Sequence, residues 1–535
     1  MRKPSGVARI VGMSKRLIEL VPAGQPAELT GNPDVAIEGL AYDSREVGPG
    51  YLFFAFPGLH ADGHDYVAKA ISAGAAAVVL ESMPPSPAPG VSYLRVPDAR
   101  AAMSPIADAF FGRPSRRLKV IGVTGTEGKS TTVWLIYRLL DLAGKKAGFF
   151  STVEYRVADR VEANPKHQTT PEAPTVHEHL ARMAASGFEY AVVEASSHGL
   201  SPRTGRLADL AFDVGVMTNV RHEHLEFHGT WERYRDDKMR LFQGLDSVDH
   251  RKSVLGVTVD VPSFGVVCAD DPSAGRFAAS TGKPVYRYSA SDPGADLYAD
   301  DIRCDGLGAS FIIREGTASY PARINLPGAF NVENALGATL VVSRLTGVPV
   351  AELAPLLPAL EPVRGRMTRV DRGQGFEVLV DYAHTPSSFE AILPPLAERV
   401  PGRLICVFGS GGERDVRKRP AQGRVASRYC DVVVLADEDP RGEDPMTLLE
   451  DIASGCEGLE RGVTLLLIPD RGTAIRKAIA LARPGDAVLL LGKGHECTID
   501  YASGSIPWNE IDEAGKALEE AGYTLRSGGQ DKETR

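Results

Sequence analysis

The chain has 535 residues, more than one hydrophobic core supports, so about three domains are expected. Its 43% hydrophobic and 24% charged residues are typical of a globular protein, and a net charge of −9 without a basic stripe argues against nucleic-acid binding. No apolar run reaches the roughly 20 residues that span a bilayer, so no membrane segment is expected.

The six cysteines are scattered without a C-x-x-C pair, which is typical of free thiols in a reducing compartment. The first residues include Arg2, Lys3 and Arg9 but no sustained apolar stretch, so no secretory signal is expected. Both features favour a cytoplasmic protein.

Residues 1–115 are expected to form the first domain, because short apolar segments alternate there with turns. The segment AYDSR (Ala41–Arg45) follows an apolar strand, and an alanine-rich helix is predicted over Tyr66–Ala77. The pattern breaks at Arg113–Ser115, which indicates the domain boundary.

A phosphate-binding turn is predicted at the start of the second domain. The apolar strand Val120–Val123 is followed by the turn TGTEGKS and then by an amphipathic helix from Thr131 onward. Free N–H groups at a helix N-terminus bind anions, Lys129 can reach terminal phosphates, and the Ser130 hydroxyl can reach Mg²⁺. The strict G-x-x-x-x-G-K-[ST] pattern requires glycine where this chain has Val123, so an ordinary strand-to-helix turn with a surface lysine is the alternative.

The second domain is expected to span residues 116–348. Predicted strands alternate with helices, which favours a mainly parallel sheet with helices on both faces. An antiparallel addition is predicted at Thr317–Leu326, and the proline-rich segment Val348–Arg364 is interpreted as a hinge.

Several acids and bases of this domain are considered as candidates for chemistry. Glu194 ends the apolar strand of VVEASSHG, where carboxylates of parallel strands face the ligand crevice and suit Mg²⁺; a solvated loop acid is the alternative. His222, His224 and His228 lie close together, but no cysteine is near and their spacing fits no common zinc site. From the pattern alone, Lys238 on the following amphipathic helix is a solvated lysine.

Residues 349–535 repeat the α/β alternation and should form the third domain. The segment DYAHTP ends a predicted strand with Asp381. The segment FGSGGERDVRKRP (Phe408–Pro420) is glycine-rich and basic, and suits phosphate or carboxylate recognition as well as an ordinary exposed loop.

Ten motifs in this order resemble those of the Mur ligases of the MurE type, which add the third residue of the peptidoglycan stem peptide. They lie between about residue 40 and residue 500 and read DSR, TGTEGKST, TTP, EASSH, TN…HL…HG…K, FNVENA, DYAHTP, FGSGGERDVRKRP, DPRGEDP and GKGHE. The resemblance implies an ATP-dependent amide ligase that works through an acyl phosphate.

The resemblance also implies the architecture and the ligands. The fold would be α/β with three domains: a small UDP-binding domain (1–115), a central P-loop-type mononucleotide-binding domain with a mainly parallel sheet (116–348) and a Rossmann-like C-terminal domain (349–535). The substrates would be ATP, a free diamino acid and UDP-N-acetylmuramoyl-L-alanyl-D-glutamate. A monomeric enzyme of cytoplasmic peptidoglycan precursor synthesis, and so of cell shape and division, is implied.

The site residues follow from the matched motifs. ATP is assigned to Thr124, Gly125, Thr126, Gly128, Lys129, Ser130, Thr131, Asn331, Asn334, Arg366 and Asp381. The Mg²⁺ ligands would be Ser130, Glu194, His224 and Lys238, with Lys238 as a carbamate, and Lys129, Lys238 and His224 would be catalytic. The other substrates are assigned to Ser44, Arg45, Thr169, Thr170, Ser196, Arg206, Arg419, Asp439, Arg441, Gly492 and Glu496.

The chain departs from the family pattern at several positions. Glu127 replaces the usual asparagine before the glycine-lysine pair, and Glu223 replaces an aspartate. The segment after the Ser-Ser-His triplet is longer than usual, so Arg203 and Arg206 compete for one role.

A further departure affects the amino acid. The family's D-N-P-R reads E-D-P-R, with Asp439 beside Arg441. We expect this added carboxylate to pair with Arg441 and to disfavour a ligand carboxylate by about 1 kcal/mol or more. This favours lysine or ornithine over meso-diaminopimelate, unless Asp439 points away and only caps the following turn.

Two other functions stay open at this point. One is a related ligase of the folylpolyglutamate or cyanophycin type, against which the DSR, TTP and GKGHE motifs argue. The other is a non-catalytic nucleotide-binding protein derived from a Mur ligase, which Glu127 brings into consideration.

Overall fold

The computed structural model describes residues 13–24, 26–58, 61–164, 168–221, 225–305 and 308–524. The chain divides into two compact units. Of the described residues, those within 13–300, 313–320 and 333–356 belong to the first unit, and those within 301–312, 321–332 and 357–524 belong to the second. Within the described ranges, no helix is both long and apolar enough to cross a membrane.

The first unit begins with a small sheet of mostly parallel strands. The elements of this part of the chain are β1 (Lys15–Arg16), β2 (Glu28–Thr30), β3 (Ala36–Ile37), β4 (Gly39–Ala41), β5 (Tyr51–Phe54), α1 (Val67–Ser72), β6 (Ala75–Leu80), β7 (Ser92–Arg95) and α2 (Met103–Phe110). Strands β1 and β3 pair with each other, and the other five strands form the sheet. The order is β2-β7-β6-β5-β4, with β2 antiparallel and the other pairs parallel. The helix predicted over Tyr66–Ala77 is shorter than expected, because β6 begins at Ala75.

A larger sheet follows. Its segment of the chain contains β8 (Lys119–Thr124), α3 (Lys129–Leu142), β9 (Ala147–Phe150), β10 (Glu154–Arg156), β11 (Glu162–Ala163), α4 (Ala173–Ala185), β12 (Tyr190–Glu194), α5 (Ser197–Leu200), β13 (Val214–Met217), α6 (Leu225–His228), α7 (Trp231–Leu245), β14 (Arg251–Val254), β15 (Val257–Asp260), β16 (Phe264–Cys268), α8 (Ala274–Ala278), β17 (Val285–Ser289), β18 (Leu297–Asp305), β19 (Gly308–Glu315), β20 (Ala318–Ile324), α9 (Phe330–Thr346) and α10 (Val350–Leu353). The strand order includes β11-β10-β9-β12-β8-β13-β16-β17-β18, and every pair from β9 to β18 is parallel.

The register of this sheet brings three strand ends to the same level. Glu194 of β12 lies opposite Val123 of β8, and Met217 of β13 lies opposite Thr124. The phosphate turn therefore opens between the segments that follow β12 and β13. Ligands of open parallel sheets bind at the carboxyl ends of such strands.

Apolar residues explain why these strands are central. Val120, Ala191 and Val193 are fully buried and pack in one cluster with Leu180 of α4 and Phe242 of α7. Parallel strands covered by helices on both faces are expected to be continuously apolar.

The second unit contains the third sheet. Its elements from residue 368 onward are β21 (Thr368–Arg369), β22 (Glu377–Asp381), α11 (Pro386–Arg399), β23 (Leu404–Phe408), α12 (Lys418–Tyr429), β24 (Val432–Leu435), α13 (Pro445–Ala453), β25 (Leu465–Leu467), α14 (Arg471–Leu481), β26 (Ala487–Leu491), β27 (Thr498–Tyr501), β28 (Gly504–Pro507) and α15 (Glu510–Glu520). The order is β21-β22-β26-β23-β24-β25, with β21 antiparallel and the other pairs parallel.

These three sheets confirm the predicted fold class, α/β with three domains and mainly parallel strands. The segment Val348–Arg364 contains α10 and a 3₁₀-helix at Ala354–Ala359, in which Val350, Leu353 and Leu357 are buried. The division between the two units falls within this segment, between residues 356 and 357, and its interpretation as a hinge stays a prediction.

Candidate active site

The phosphate turn has backbone geometry that only glycine accommodates. Gly125 and Gly128 have φ angles of 156° and 77°. A Cβ atom on Gly125 would lie 1.9 Å from Thr218 Oγ1, and one on Gly128 would lie 2.6 Å from Asn334 Oδ1. Helix α3 begins at Lys129, two residues before the predicted start, so the lysine itself belongs to the first turn of the helix.

Two residues after β13 hold the phosphate turn by its backbone. Asn219 Oδ1 accepts a hydrogen bond from Glu127 N at 2.9 Å, and Asn219 Nδ2 donates to Glu127 O at 3.2 Å. Thr218 Oγ1 donates to the same carbonyl at 2.7 Å. Position 127 is thus fixed by main-chain contacts, which explains how the fold accepts glutamate there. Sequence reasoning missed Asn219, although the TN motif contained the signal.

Ser130 and Glu194, both assigned to Mg²⁺, lie together in the structure. Ser130 Oγ is 3.0 Å from each carboxylate oxygen of Glu194, and Glu194 is 1% exposed. Thr152, which sequence reasoning missed, donates to the same carboxylate from its N at 2.7 Å and its Oγ1 at 3.0 Å. The signal for Thr152 was its position two residues after the end of β9, the parallel neighbour of β12.

The donor set fits a magnesium ion. A carboxylate and a hydroxyl beside a phosphate turn are the hard oxygen ligands that Mg²⁺ prefers, together with substrate phosphates. No group of three or more His, Cys, Asp and Glu side chains suited to a metal occurs among the described residues. His222 and His224 lie outside the described residues, so the assignment of His224 stays a prediction.

Lys238 is not the solvated lysine that the helix pattern alone indicated. Its side chain is 1% exposed, its Nζ donates to Gly125 O at 2.5 Å, and it lies 4.4 Å from the centre of the Tyr234 ring. The lysine therefore reaches the phosphate turn from α7. Lys129 Nζ donates to Thr126 O of the same turn at 2.7 Å.

A second polar group lies directly beside Glu194. Thr170 Oγ1 donates to Glu194 O at 3.1 Å and is 2.8 Å from Ser196 Oγ, which in turn accepts from Gly199 N. The preceding residue, Thr169, is partly exposed. The structure thus brings the TTP segment and the first serine of the Ser-Ser-His triplet to the end of β12.

The structure separates the two competing arginines. Arg206 Nη1 donates to Thr170 O at 3.0 Å, and its Nη2 donates to Glu172 Oε1 at 2.7 Å. Arg203 instead donates to Phe227 O and lies over the Phe227 ring. Arg206 is therefore the arginine grouped with Thr170 and Ser196. Glu172, which sequence reasoning missed, holds it in place.

His228, the member of the histidine cluster that the structure describes, is buried and contacts two polar side chains. His228 is 4% exposed, and its ring nitrogens contact Asp237 Oδ2 at 2.9 Å and Ser197 Oγ at 3.1 Å. These contacts join α7 to α5, the helix that follows Ser196.

The DSR motif lies in the first sheet region. The Arg45 guanidinium folds back onto Asp43, with Nη2 2.6 Å from Oδ2, and this contact holds the pKa of the Asp43 carboxyl below its usual value. Ser44 beside it is 8% exposed. The contact of Ser44 and Arg45 with a uridine diphosphate stays a prediction.

The remaining residues assigned to ATP divide between the two units. In the first unit, Thr132 Oγ1 of α3 donates to Asn334 Oδ1 of α9 at 3.2 Å. In the second unit, Asn331 Nδ2 donates to Pro327 O at 2.7 Å, and Asp381 accepts from Met367 N and Ala383 N. Burial raises the pKa of Asp381, although nearby Arg366 opposes the shift.

Arg419, at the end of the basic segment after β23, forms two ion pairs within the protein. Arg419 is 1% exposed and donates to Asp451 Oδ2 and to Glu443 Oε1, both at 2.9 Å. These two ion pairs give Arg419 partners within the protein. Its contact with substrate stays a prediction.

Asp439 does not pair with Arg441 as the sequence indicated. Asp439 Oδ1 accepts from Lys493 Nζ at 2.8 Å and from Asp500 N at 2.9 Å. Arg441 Nη1 donates to Gly412 O at 3.2 Å, and no carboxylate pairs with Arg441 within the described part of the chain. The expected neutralisation of Arg441 by its neighbour is therefore wrong, because the Asp439 side chain turns toward β26.

Family profiles match most of the chain. Residues 36–111 match the Mur ligase family catalytic domain, residues 123–342 the Mur ligase middle domain and residues 365–494 the Mur ligase glutamate ligase domain.

Whole proteins are similar over nearly the full length. The UDP-N-acetylmuramyl-tripeptide synthetase of Treponema denticola is 47% identical, covering 94% of this chain and 98% of that protein. The protein of the same name from Treponema pallidum is 49% identical, covering 89% and 92%. A solved UDP-N-acetylmuramoyl-L-alanyl-D-glutamate–2,6-diaminopimelate ligase superposes with a TM-score of 0.63 at 27% identity, covering 96% of this chain and 100% of the other.

Proposed function

Because this chain belongs to the Mur ligase family and is of the MurE type, we propose that it joins a diamino acid to UDP-N-acetylmuramoyl-L-alanyl-D-glutamate. As an ATP-dependent ligase it forms a C–N bond while ATP becomes ADP and phosphate. The diamino acid is lysine, ornithine or meso-diaminopimelate. The reaction belongs to cytoplasmic peptidoglycan precursor synthesis and is carried out by a monomer.

One observation carries the proposal: Ser130 of the phosphate turn and Thr170 of the TTP segment both bond Glu194 at the end of β12. Glu194 bonds Ser130 of the phosphate turn through its side chain and accepts from Thr170 through its backbone carbonyl. A phosphate-binding group and a candidate dipeptide-binding group are therefore built on one strand end. This arrangement supports a reaction between a substrate carboxylate and a nucleotide phosphate.

The chemistry proceeds in two balanced steps. The D-glutamate carboxylate attacks the γ-phosphorus of ATP, which forms an acyl phosphate and releases ADP. The amine of the diamino acid then attacks the acyl carbon, which forms the amide and releases phosphate and a proton. The ammonium group of Lys129, together with the N–H groups of the phosphate turn, stabilises the charge that spreads over the transferring phosphoryl group.

Other residues of the chain hold and orient the reactants. Ser130 and Glu194 would hold a Mg²⁺ ion, which neutralises phosphate charge when it is bound. Arg206, held by Glu172, and the hydroxyls of Thr170 and Ser196 bind the dipeptide end. Lys238, as a carbamate, would offer a further carboxylate beside the phosphate turn.

The proposal is tested by phosphate release from ATP in the presence of Mg²⁺ and UDP-N-acetylmuramoyl-L-alanyl-D-glutamate. We expect release only when lysine, ornithine or meso-diaminopimelate is added, with the nucleotide tripeptide as product by mass spectrometry. Glutamate with a folate acceptor is the control for a related ligase. Phosphate release with glutamate and the folate acceptor alone would refute the proposal. A lack of phosphate release with every one of these substrate sets would also refute it.

A further inference from the structure

Tyr234 of α7 is a buried aromatic residue that contacts the phosphate turn. It is 0% exposed, and its hydroxyl lies 3.0 Å from Thr126 Oγ1. Lys238 Nζ lies 4.4 Å from the centre of its ring. Neither the sequence motifs nor the proposed chemistry gives this residue a role.

The hydroxyl of Tyr234 acts on the residue that holds Lys129. Thr126 Oγ1 also accepts from Arg221 N at 2.8 Å, and Thr126 N donates to Asn219 O at 2.8 Å. The carbonyl oxygen of the same residue accepts from Lys129 Nζ at 2.7 Å. The Tyr234 hydroxyl therefore restrains the residue whose carbonyl meets the lysine.

The ring of Tyr234 acts on Lys238, four positions later on the same helix. Residues four apart lie on one face of a helix, so the ring and the lysine side chain are neighbours. Lys238 Nζ donates to Gly125 O at 2.5 Å. The ring of His228 meets that of Tyr234 in a T-shaped contact, with the centroids 5.2 Å apart, which limits the positions that the tyrosine ring can take.

We propose that Tyr234 is a positioning residue that orients Lys129 through Thr126 and Lys238 through its own ring. The inference rests on the proposed function, in which both lysines act at the phosphate turn. The carbonyl groups that the two lysines meet, Gly125 O and Thr126 O, are consecutive in that turn. One side chain thus fixes both lysines relative to the transferring phosphoryl group.

Tyr234→Phe tests the hydroxyl and keeps the ring. We expect kcat/KM for ATP to fall by about fivefold or more, because the variant loses the contact with Thr126. KM for the nucleotide dipeptide and for the diamino acid should change by less than about twofold. The Kd for the magnesium complex of a non-hydrolysable ATP analogue should rise in the same way, and its measurement by calorimetry needs no turnover.

Tyr190→Phe is the matched control. The Tyr190 hydroxyl accepts from Lys119 Nζ at 3.1 Å, and the same nitrogen lies 4.6 Å from the centre of the Tyr190 ring. Tyr190 therefore has a lysine and a hydroxyl bond as Tyr234 does, but it begins β12, whereas Glu194 of the candidate active site ends that strand. We expect this variant to keep kcat/KM for ATP within about twofold of wild type.

A double-mutant cycle with Thr126→Val tests whether the hydroxyl acts through Thr126. In that background, Tyr234→Phe should change kcat/KM for ATP by less than about twofold, because the partner hydroxyl is already absent. Tyr234→Leu tests the ring: its kcat should be about tenfold or more below that of Tyr234→Phe, since Lys238 loses the ring that it lies over. If Tyr234→Leu does not fold, judged by circular dichroism, Tyr234→Phe and the cycle decide alone.

Three results would overturn the inference: a kcat/KM for ATP within about twofold of wild type in Tyr234→Phe, an equal loss in Tyr190→Phe, or an undiminished loss in the Thr126→Val background. Equal kcat values for Tyr234→Leu and Tyr234→Phe would overturn the role of the ring. Absence of wild-type turnover with every diamino acid would instead overturn the proposed function, and the affinity for the ATP analogue would still test Tyr234.

Discussion

Asn219 fixes the phosphate turn through two hydrogen bonds to the backbone of Glu127, at 2.9 Å and 3.2 Å. Asn219→Ala removes both. At about 1 kcal/mol for each bond, the turn loses about 2 kcal/mol of pre-organisation, which corresponds to roughly a 30-fold lower kcat/KM for ATP. The measurement is the rate of phosphate release as ATP is varied, with the other two substrates saturating.

The diamino acid provides the internal control for Asn219→Ala. Its KM should stay within about twofold of wild type, because its proposed contacts lie in the C-terminal sheet region rather than at the phosphate turn. Asn219→Ala with a kcat/KM for ATP within about threefold of wild type would refute this reasoning. It would mean that the Thr218 and backbone contacts hold the turn without Asn219.

Three further predictions concern single side chains. Lys129→Ala should lower kcat by a hundredfold or more, because it removes the positive charge that stabilises the transferring phosphoryl group. Near-normal turnover would exclude Lys129 from the mechanism. Lys238→Ala should be nearly inactive and partly rescued by a short carboxylate in solution, whereas the lack of a carbamate carbon signal in the ¹³C NMR spectrum of active enzyme supplied with ¹³C-bicarbonate would contradict the carbamate. Burial and nearby Asp209 raise the pKa of Asp108 to about 6, so its proton binds the folded state more tightly and stability falls as pH rises through that value. Asp108→Asn should therefore gain about 1 kcal/mol over wild type between pH 5 and pH 8 by urea midpoints, and an equal difference at both pH values would count against this.

The fold was predictable because its elements carry strong local signals. Strands such as Val432–Leu435 and Ala487–Leu491 are continuous apolar runs, and a run of this kind that alternates with helices has few folds other than a covered parallel sheet. The phosphate turn was predictable for a similar reason, since glycine, lysine and serine act there through the local backbone. Helix starts were less accurate, because the N-terminal turn of α3 has no capping side chain to mark it.

The parts of the site that the sequence did not show depend on contacts across the fold. Lys238 occupies a helix position that resembles a solvated one, and only the approach of α7 to the phosphate turn buries it. Thr152 and Glu172 bond residues 42 and 34 positions away, and neither lies in a motif that indicates this role. Periodicity describes which face of an element is apolar, but it does not identify the polar partner that a buried side chain meets.

Arg441 shows how such a contact changes the argument about the substrate. Arg441 lies two positions after Asp439 in the chain, but the two side chains do not pair. Asp439 pairs with Lys493, and the Arg441 guanidinium donates to Gly412 O. A guanidinium without a carboxylate partner among the described residues is suited to a ligand carboxylate, in a charge-assisted bond of about 1.5–3 kcal/mol. We therefore expect Arg441→Ala to lower kcat/KM for meso-diaminopimelate, which has a distal carboxylate, by roughly tenfold or more. For lysine, which lacks that group, the change should stay within about twofold, and an equal loss with both amino acids would mean that Arg441 supports the loop rather than reads the substrate.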